Sequence, residues 1–116
     1  MNLPDIIAVH TSDPALVRID LNVPADHPAF AGHYPIRPIL PGVVQIDWVV
    51  RLADLHLATK LAAATDFQVK FRRTISADEP ISLELRLDPG KGVLSFTYRL
   101  KGDIASSGRI KLRELE

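Results

Sequence analysis

The stretch from Pro24 to Pro41 constrains the fold of this chain more than any other. Five prolines fall within it: Pro24, Pro28, Pro35, Pro38 and Pro41. Each fixes its own φ and removes a backbone donor, so neither a regular helix nor a central strand can run through the segment. It must be a structured loop, and it divides two regions of different pattern. Before it, Ala15, Val17, Ile19, Leu21 and Val23 alternate with Arg18, Asp20 and Asn22, the period-two signature of a half-buried strand. After it, Gly42 to Ala58 reads as a helix, with Pro41 at its start, where a missing N–H costs nothing. At ~100° per residue the apolar side chains of this helix form two flanks. Val43, Ile46, Val50, Ala53 and Leu57 make one, and Val44, Trp48 and Leu55 the other. A helix apolar on two sides is expected between two covering surfaces.

Four strand patterns follow. Phe67, Val69, Phe71 and Ile75 alternate with Gln68, Lys70, Arg72 and Thr74. Ile81, Leu83, Leu85 and Leu87 alternate with Ser82, Glu84, Arg86 and Asp88. Pro89-Gly90-Lys91-Gly92 is a turn leading into a partner strand, Val93 to Lys101. Gly102-Asp103 is a second turn before a last strand, Ile104 to Leu115. The sum is an α+β arrangement, one buried helix against an antiparallel meander, in a single domain spanning residues 1–116. With 47% apolar residues the chain can build a core, although a domain of this size gains from self-association. Basic and acidic residues balance at 14 each, which argues against a nucleic-acid partner. The chain has no cysteine, so disulfide and thiolate chemistry are excluded and a reducing, cytoplasmic setting is the simpler expectation. Met1 to His10 carries neither a basic leader nor a long apolar run, so no signal peptide or membrane span is expected.

The chemically informative segment is Phe30-Ala31-Gly32-His33-Tyr34-Pro35-Ile36-Arg37-Pro38-Ile39-Leu40-Pro41-Gly42-Val43, continuing to Asp47. It resembles the signature of bacterial 3-hydroxyacyl-acyl carrier protein dehydratases, the FabZ and FabA types and the related ApeI-type dehydratases of aryl-polyene synthesis. The shared pattern is Gly-His-Phe-Pro, two variable residues, Pro, two apolar residues, Pro-Gly, then an acid on the following helix. The match falls on Gly32, His33, Pro35, Pro38, Ile39, Leu40, Pro41 and Gly42, with Asp47 at the acidic position. Val69-Lys70-Phe71-Arg72-Arg73 is a weaker local match. Tyr34 stands where Phe is usual, Ile36 where Gly is common, and Arg51 where Gln is usual. The run Gln45-Ile46-Asp47-Trp48 is most similar to the aryl-polyene subgroup.

The resemblance implies a hot-dog fold, a central helix wrapped by a curled antiparallel sheet, paired into a homodimer or a trimer of dimers. It implies dehydration of a (3R)-3-hydroxyacyl thioester to the trans-2-enoyl thioester, with histidine and acid supplied by different subunits. It also implies a cis peptide beside the histidine, at His33–Tyr34. No cofactor is expected, because the substrate rides on the phosphopantetheine arm of an acyl carrier protein.

The chemistry accounts for these parts. Dehydration needs a base for the proton next to the carbonyl, an acid for the departing hydroxyl, and a donor for the carbonyl oxygen. An imidazole titrates near ~6.5 in its free state, so His33 suits the base. Asp47 suits the acid where burial keeps its carboxyl protonated. The Gly42 N–H opens the helix with the positive dipole end behind it, and a glycine lets a thioester approach closely. Val43 and Tyr34 are expected beside the substrate. Arg37, Lys70, Arg72 and Arg73 are expected to form the basic patch that meets an acidic carrier. Arg73, in phase with Phe67, Val69 and Phe71, should reach a partner at the sheet end or a tunnel mouth.

Plainer readings stand beside these. His33 taken alone is an ordinary hydrogen-bonding loop residue. Asp47 and Arg51, four apart, make an ordinary helix ion pair, and an arginine in contact would favour the ionised carboxylate and work against an acid role. Asp54 extends the same stripe. Lys70 and Arg72 are commonly just solvated. His10, His27 and His56 are too far apart in sequence to suggest a metal cluster and read as structural or surface residues. Trp48 reads as core or dimer interface. Two rival functions remain open: a hot-dog thioesterase and a non-catalytic acyl-binding domain.

Overall fold

The computed structural model describes residues 2–30, 39–57 and 66–111. Six antiparallel strands and one long helix follow in the order β1 (Asp5–Asp13), β2 (Leu16–Asn22), α1 (Gly42–His56), β3 (Asp66–Phe71), β4 (Ile81–Asp88), β5 (Val93–Leu100) and β6 (Asp103–Lys111). The strands lie side by side as β1-β2-β4-β5-β6-β3. Only β4, β5 and β6 form a true meander. The helix leaves the sheet after β2 and returns the chain to the far edge, so β3 pairs with β6 rather than with its sequence neighbour β4. That crossing makes the arrangement more than the simple meander expected from the strand patterns.

The alternating residues of the central strands behave as their period demands. Val17, Ile19, Leu21 and Val23 are buried, as are Ile81, Leu83 and Leu85, and Leu94, Phe96, Tyr98 and Leu100 of β5. Their cross-strand pairing puts these side chains in rows, with Ile19 opposite Leu83 and Leu83 opposite Tyr98. Each such row is a continuous apolar band under the helix. Gly108, opposite Phe96 and Val69, leaves room for the Phe96 ring and the Gln68 carbonyl, which an added Cβ would strike. The β5–β6 hairpin turns on Lys101 (φ 51°) and Gly102 (φ 86°), with Leu100 paired to Asp103. The turn is therefore one residue earlier than Gly102-Asp103, and two positive φ values are what a two-residue hairpin of right-handed twist requires.

Strand β1 has no counterpart in the sequence reading. Its pattern is hidden because Ile6 and Ile7 are adjacent, and a register shift lies between Ile6 and Ala8. A bulge of this kind breaks the alternation by which a strand is recognised. The strand is also almost wholly exposed, so little burial enforces a pattern on it.

The helix buries one face rather than two. Val44, Gln45, Trp48, Val49, Leu52 and Ala53 are covered, and Trp48 is fully buried with its indole N–H donating to the Asn2 carbonyl at 3.0 Å. Trp48 is thus core within the chain. The flank of Val43, Ile46 and Val50 is different: Val43 is 75% exposed and the other two are half-buried. On the other flank Leu55 is exposed as well. A single sheet covers only one side of a helix, so the second covering surface is not supplied by this chain's described residues.

His27 is buried and structural. Its Nδ1 accepts from the Ala29 N–H at 3.0 Å, which leaves Nε2 as the donor to the Leu3 carbonyl at 3.0 Å. The ring meets Trp48 edge to face. His10 sits on the surface beside Asp20. No group of histidines and carboxylates among the described residues could hold a metal ion, and no described helix is long and apolar enough to cross a membrane.

Candidate active site

The start of α1 is open. Pro41 stands at the cap position with extended backbone and provides no side-chain hydrogen bond, and no acidic residue occupies the first turn. The Gly42 and Val43 N–H groups lie ahead of any intrahelical acceptor, and the helix dipole favours negative charge at this end. Leu40, just before the proline, is tied to the segment after β3 by its N–H to the Ile75 carbonyl at 2.8 Å. Ile39 bridges to Ser76. The prolines of the loop cannot offer donors here, so these two contacts fix how the chain enters the helix.

A cleft of about 310 Å³ lies at this entrance, lined by Leu40, Gly42, Gln45, Phe71, Arg72 and Arg73 among others. The Phe71 ring lies against Gly42: an added Cβ would meet its Cζ at 2.5 Å. Glycine leaves room for this close approach, and the group that approaches in the free chain is an aromatic ring.

Arg72 and Arg73 reach the cleft through a bulge. Both of their N–H groups donate to the Ala105 carbonyl, at 2.8 and 3.0 Å, so two residues of this segment oppose one residue of β6. Strand β3 ends at Phe71, and the strict alternation that placed Arg73 in phase with Phe71 does not continue through the bulge. Arg73 does find a partner at the sheet end, as expected: its Nη1 lies 3.2 Å from Asp103 Oδ2. Lys70 separates from this pair. It is opposite Ser107, on the sheet face away from Phe71, with Gln68 opposite Arg109 on the same face.

Asp47 lies one turn beyond Gly42, on the stripe of Val43, Ile46 and Val50 that the sheet leaves uncovered. Its side chain is 44% exposed, and Arg51 Nη1 donates to Oδ2 at 3.4 Å. The expected contact with Arg51 is present but long, and exposed pairs of this spacing contribute about 0.3–0.5 kcal/mol. Beneath Asp47, Tyr98 is buried. Burial first, and the Asp47 charge second, push its phenol far above the ordinary range, so Tyr98 remains an O–H donor. Of the other expected site residues, His33, Tyr34 and Arg37, with the peptide between His33 and Tyr34, lie outside the described residues. The structure thus brings Gly42, Val43, Asp47, Arg72 and Arg73 to one end of the helix and puts Lys70 on another face.

One further residue of this region was not among the expected site residues. Gln45 is buried on the helix face that otherwise holds Val44, Trp48 and Val49, and it borders the cleft. The available signal was a polar residue breaking an apolar helix face.

A family model described as ApeI dehydratase matches residues 9–109. The chain belongs to the ApeI-like dehydratase family. This bears out the family recognised in the loop and first helical turns, and the α+β hot-dog fold with it. Among solved structures, the ApeI:P dehydratase heterocomplex from Xenorhabdus doucetiae aligns with a TM-score of 0.90 and 33% identity, covering 96% of this chain and 98% of that one. A 3-hydroxyacyl-acyl carrier protein dehydratase FabZ from Rickettsia massiliae is 27% identical over 99 residues, 76% of this chain and 68% of its own length. Mouse thioesterase superfamily member 2 aligns with a TM-score of 0.68 at 16% identity, over 89% of this chain and 77% of that one, a likeness of fold alone. An ApeI-like dehydratase therefore shares its fold with a thioesterase superfamily member.

Proposed function

We propose that this ApeI-like dehydratase removes water from a 3-hydroxyacyl-acyl carrier protein, and that the work is divided between His33, Asp47 and Gly42. The activity, that of a hydro-lyase in fatty-acid or aryl-polyene biosynthesis, follows from the family. The observation that carries the division of labour is the uncapped start of α1, with Gly42 on a cleft and Asp47 one turn away. His33 takes the C2 proton. The electron pair forms the C2–C3 double bond as the C3–O bond breaks, and Asp47 protonates the leaving hydroxyl, so water departs. The Gly42 N–H holds the thioester oxygen while charge gathers there. Acid and base suffice for this reaction, so no cofactor enters. The aryl-polyene branch is favoured by the run Gln45-Ile46-Asp47-Trp48.

A second subunit belongs to this reading. The outer edge of β3 has no neighbour in the described sheet, and Phe67 and Phe71 on it are 48% and 53% exposed. An apolar strand edge left unpaired is a template for another strand. The half-exposed stripe of Val43, Ile46 and Val50 around Asp47 asks for the same cover. Pairing in a homodimer would exclude water from Asp47, loosen its weak contact with Arg51 and bring the partner subunit's histidine to it. Arg72 and Arg73 at the cleft, with Lys70 and Arg37, would receive the acidic carrier. The absence of cysteine suits a cytoplasmic setting.

The test is turnover of a 3-hydroxybutyryl thioester, and hydration of the crotonyl thioester in reverse. His33→Ala and Asp47→Asn should each lose about 10²-fold or more while remaining folded. Near-normal turnover by Asp47→Asn would reduce Asp47 to the ion-pair partner of Arg51. Release of free 3-hydroxybutyrate and thiol, in place of the enoyl thioester, would make the enzyme a thioesterase.

A further inference from the structure

Gln45 is a buried polar residue, 3% exposed, whose side-chain oxygen, side-chain nitrogen and backbone carbonyl are each bonded. Ser106 Oγ donates to Gln45 Oε1 at 2.7 Å. Gln45 Nε2 donates to the Leu40 carbonyl at 3.3 Å. Tyr98 Oη donates to the Gln45 backbone carbonyl at 2.8 Å. The amide orientation is fixed by chemistry, since a carbonyl can only accept and the nitrogen must therefore face Leu40.

These three bonds converge on one place from three directions. Tyr98 lies on β5 and Ser106 on β6, cross-strand partners in the paired interior of the sheet, and both are fully buried. Leu40 is the last residue before Pro41 and Gly42. The usual anchor of a helix start, a Ser, Thr, Asp or Asn side chain at the cap, is replaced here by Pro41, which bonds to nothing through its side chain. Gln45 holds the entrance from inside the helix instead, tying the preceding carbonyl to the rigid sheet, while the Gly42 and Val43 N–H groups lie ahead of any intrahelical acceptor.

We propose that Gln45 is a positioning residue for the dehydration, holding the Gly42 N–H and the Asp47 carboxyl in register through its bonds to Leu40, Ser106 and Tyr98. The inference rests on the dehydratase reading. It explains why a buried glutamine occupies a face that an apolar side chain would fill, because stability alone does not require a buried polar network. Tyr98 remains a donor because burial, and less strongly Asp47, hold its proton on. Its hydroxyl therefore keeps the first helical turn in place whatever the state of the reacting groups.

The experiment uses the full chain and a 3-hydroxybutyryl pantetheine thioester, with kcat and KM measured separately beside thermal unfolding. Ser106→Ala removes one hydroxyl, and Gln45→Leu removes the hub with little change of volume. Both should lower kcat by about tenfold with KM within about twofold, as loss of an orienting interaction does. Because the residues act as a unit, Gln45→Leu combined with Ser106→Ala should be little worse than Gln45→Leu alone. A role confined to stability predicts a lower unfolding temperature with unchanged kcat well below it, and that result overturns the inference. Fully multiplicative losses overturn it too. Absence of dehydration by the wild type overturns the dehydratase reading and this inference together; wild-type turnover with unchanged kcat in both single variants overturns the inference alone.

Discussion

Strands β4 and β3 carry the same kind of sequence and meet opposite fates. Ile81, Leu83 and Leu85 alternate with polar residues and are buried, and Phe67, Val69 and Phe71 alternate just as cleanly. Yet Leu83 is fully buried while Phe67 and Phe71 stay about half exposed. The difference is position in the sheet. β4 lies between β2 and β5 under the helix, whereas β3 is the edge strand, reached by the crossover through α1. Periodicity reports which face of a strand is apolar; it does not report whether the chain itself covers that face. The apolar edge beside the helix end is left uncovered by the described residues, and it adjoins the cleft.

The comparison is sharpest in stability. Leu83→Ala should cost about 2–5 kcal/mol, as truncation at a fully buried site does, and the cost measured by denaturant unfolding should not depend on protein concentration. In the proposed homodimer, Phe67→Ala should cost more at high concentration than at low, because a site covered by a second copy contributes through mass action. A concentration-independent penalty at Phe67 equal to that at Leu83 would break the comparison.

Gly42→Ala should have a smaller effect on stability, within about 1 kcal/mol, because the Phe71 ring it would strike is half exposed and free to swing aside. Turnover should nevertheless fall at least tenfold, since the new methyl and the displaced ring occupy the approach to the Gly42 N–H. Unchanged turnover would remove Gly42 from the site.

The smallest stability effect belongs to the exposed cations. Lys70→Glu and Arg72→Glu should each stay within about 0.5 kcal/mol. They should raise the Michaelis constant for carrier-linked substrate and spare short thioesters. If only Arg72→Glu acts, the carrier approaches the cleft alone, and the opposite sheet face of Lys70 plays no part. Equal effects on both substrate types would exclude a carrier-docking role.

The central strands, the extent of α1 and the family were legible in the amino-acid sequence. Alternation at Val17 to Val23 and at Ile81 to Leu85 could be read because burial on one face imposes a period of two. The helix start could be read because prolines forbid a helix before Gly42, and the spacing from Gly32 to Asp47 carried the resemblance to the family. Tertiary structure alone decided the rest. It showed β1, whose pattern a bulge at Ile6 and Ile7 conceals. It placed β3 beside β6 and left its apolar face uncovered, since strand order depends on contacts between distant segments. It turned Arg72 and Arg73 toward the cleft, because a bulge shifts phase without changing composition. It also joined Gln45 to Ser106, 61 residues away. A buried polar group must find partners wherever the fold supplies them, and no local pattern records which residues those will be.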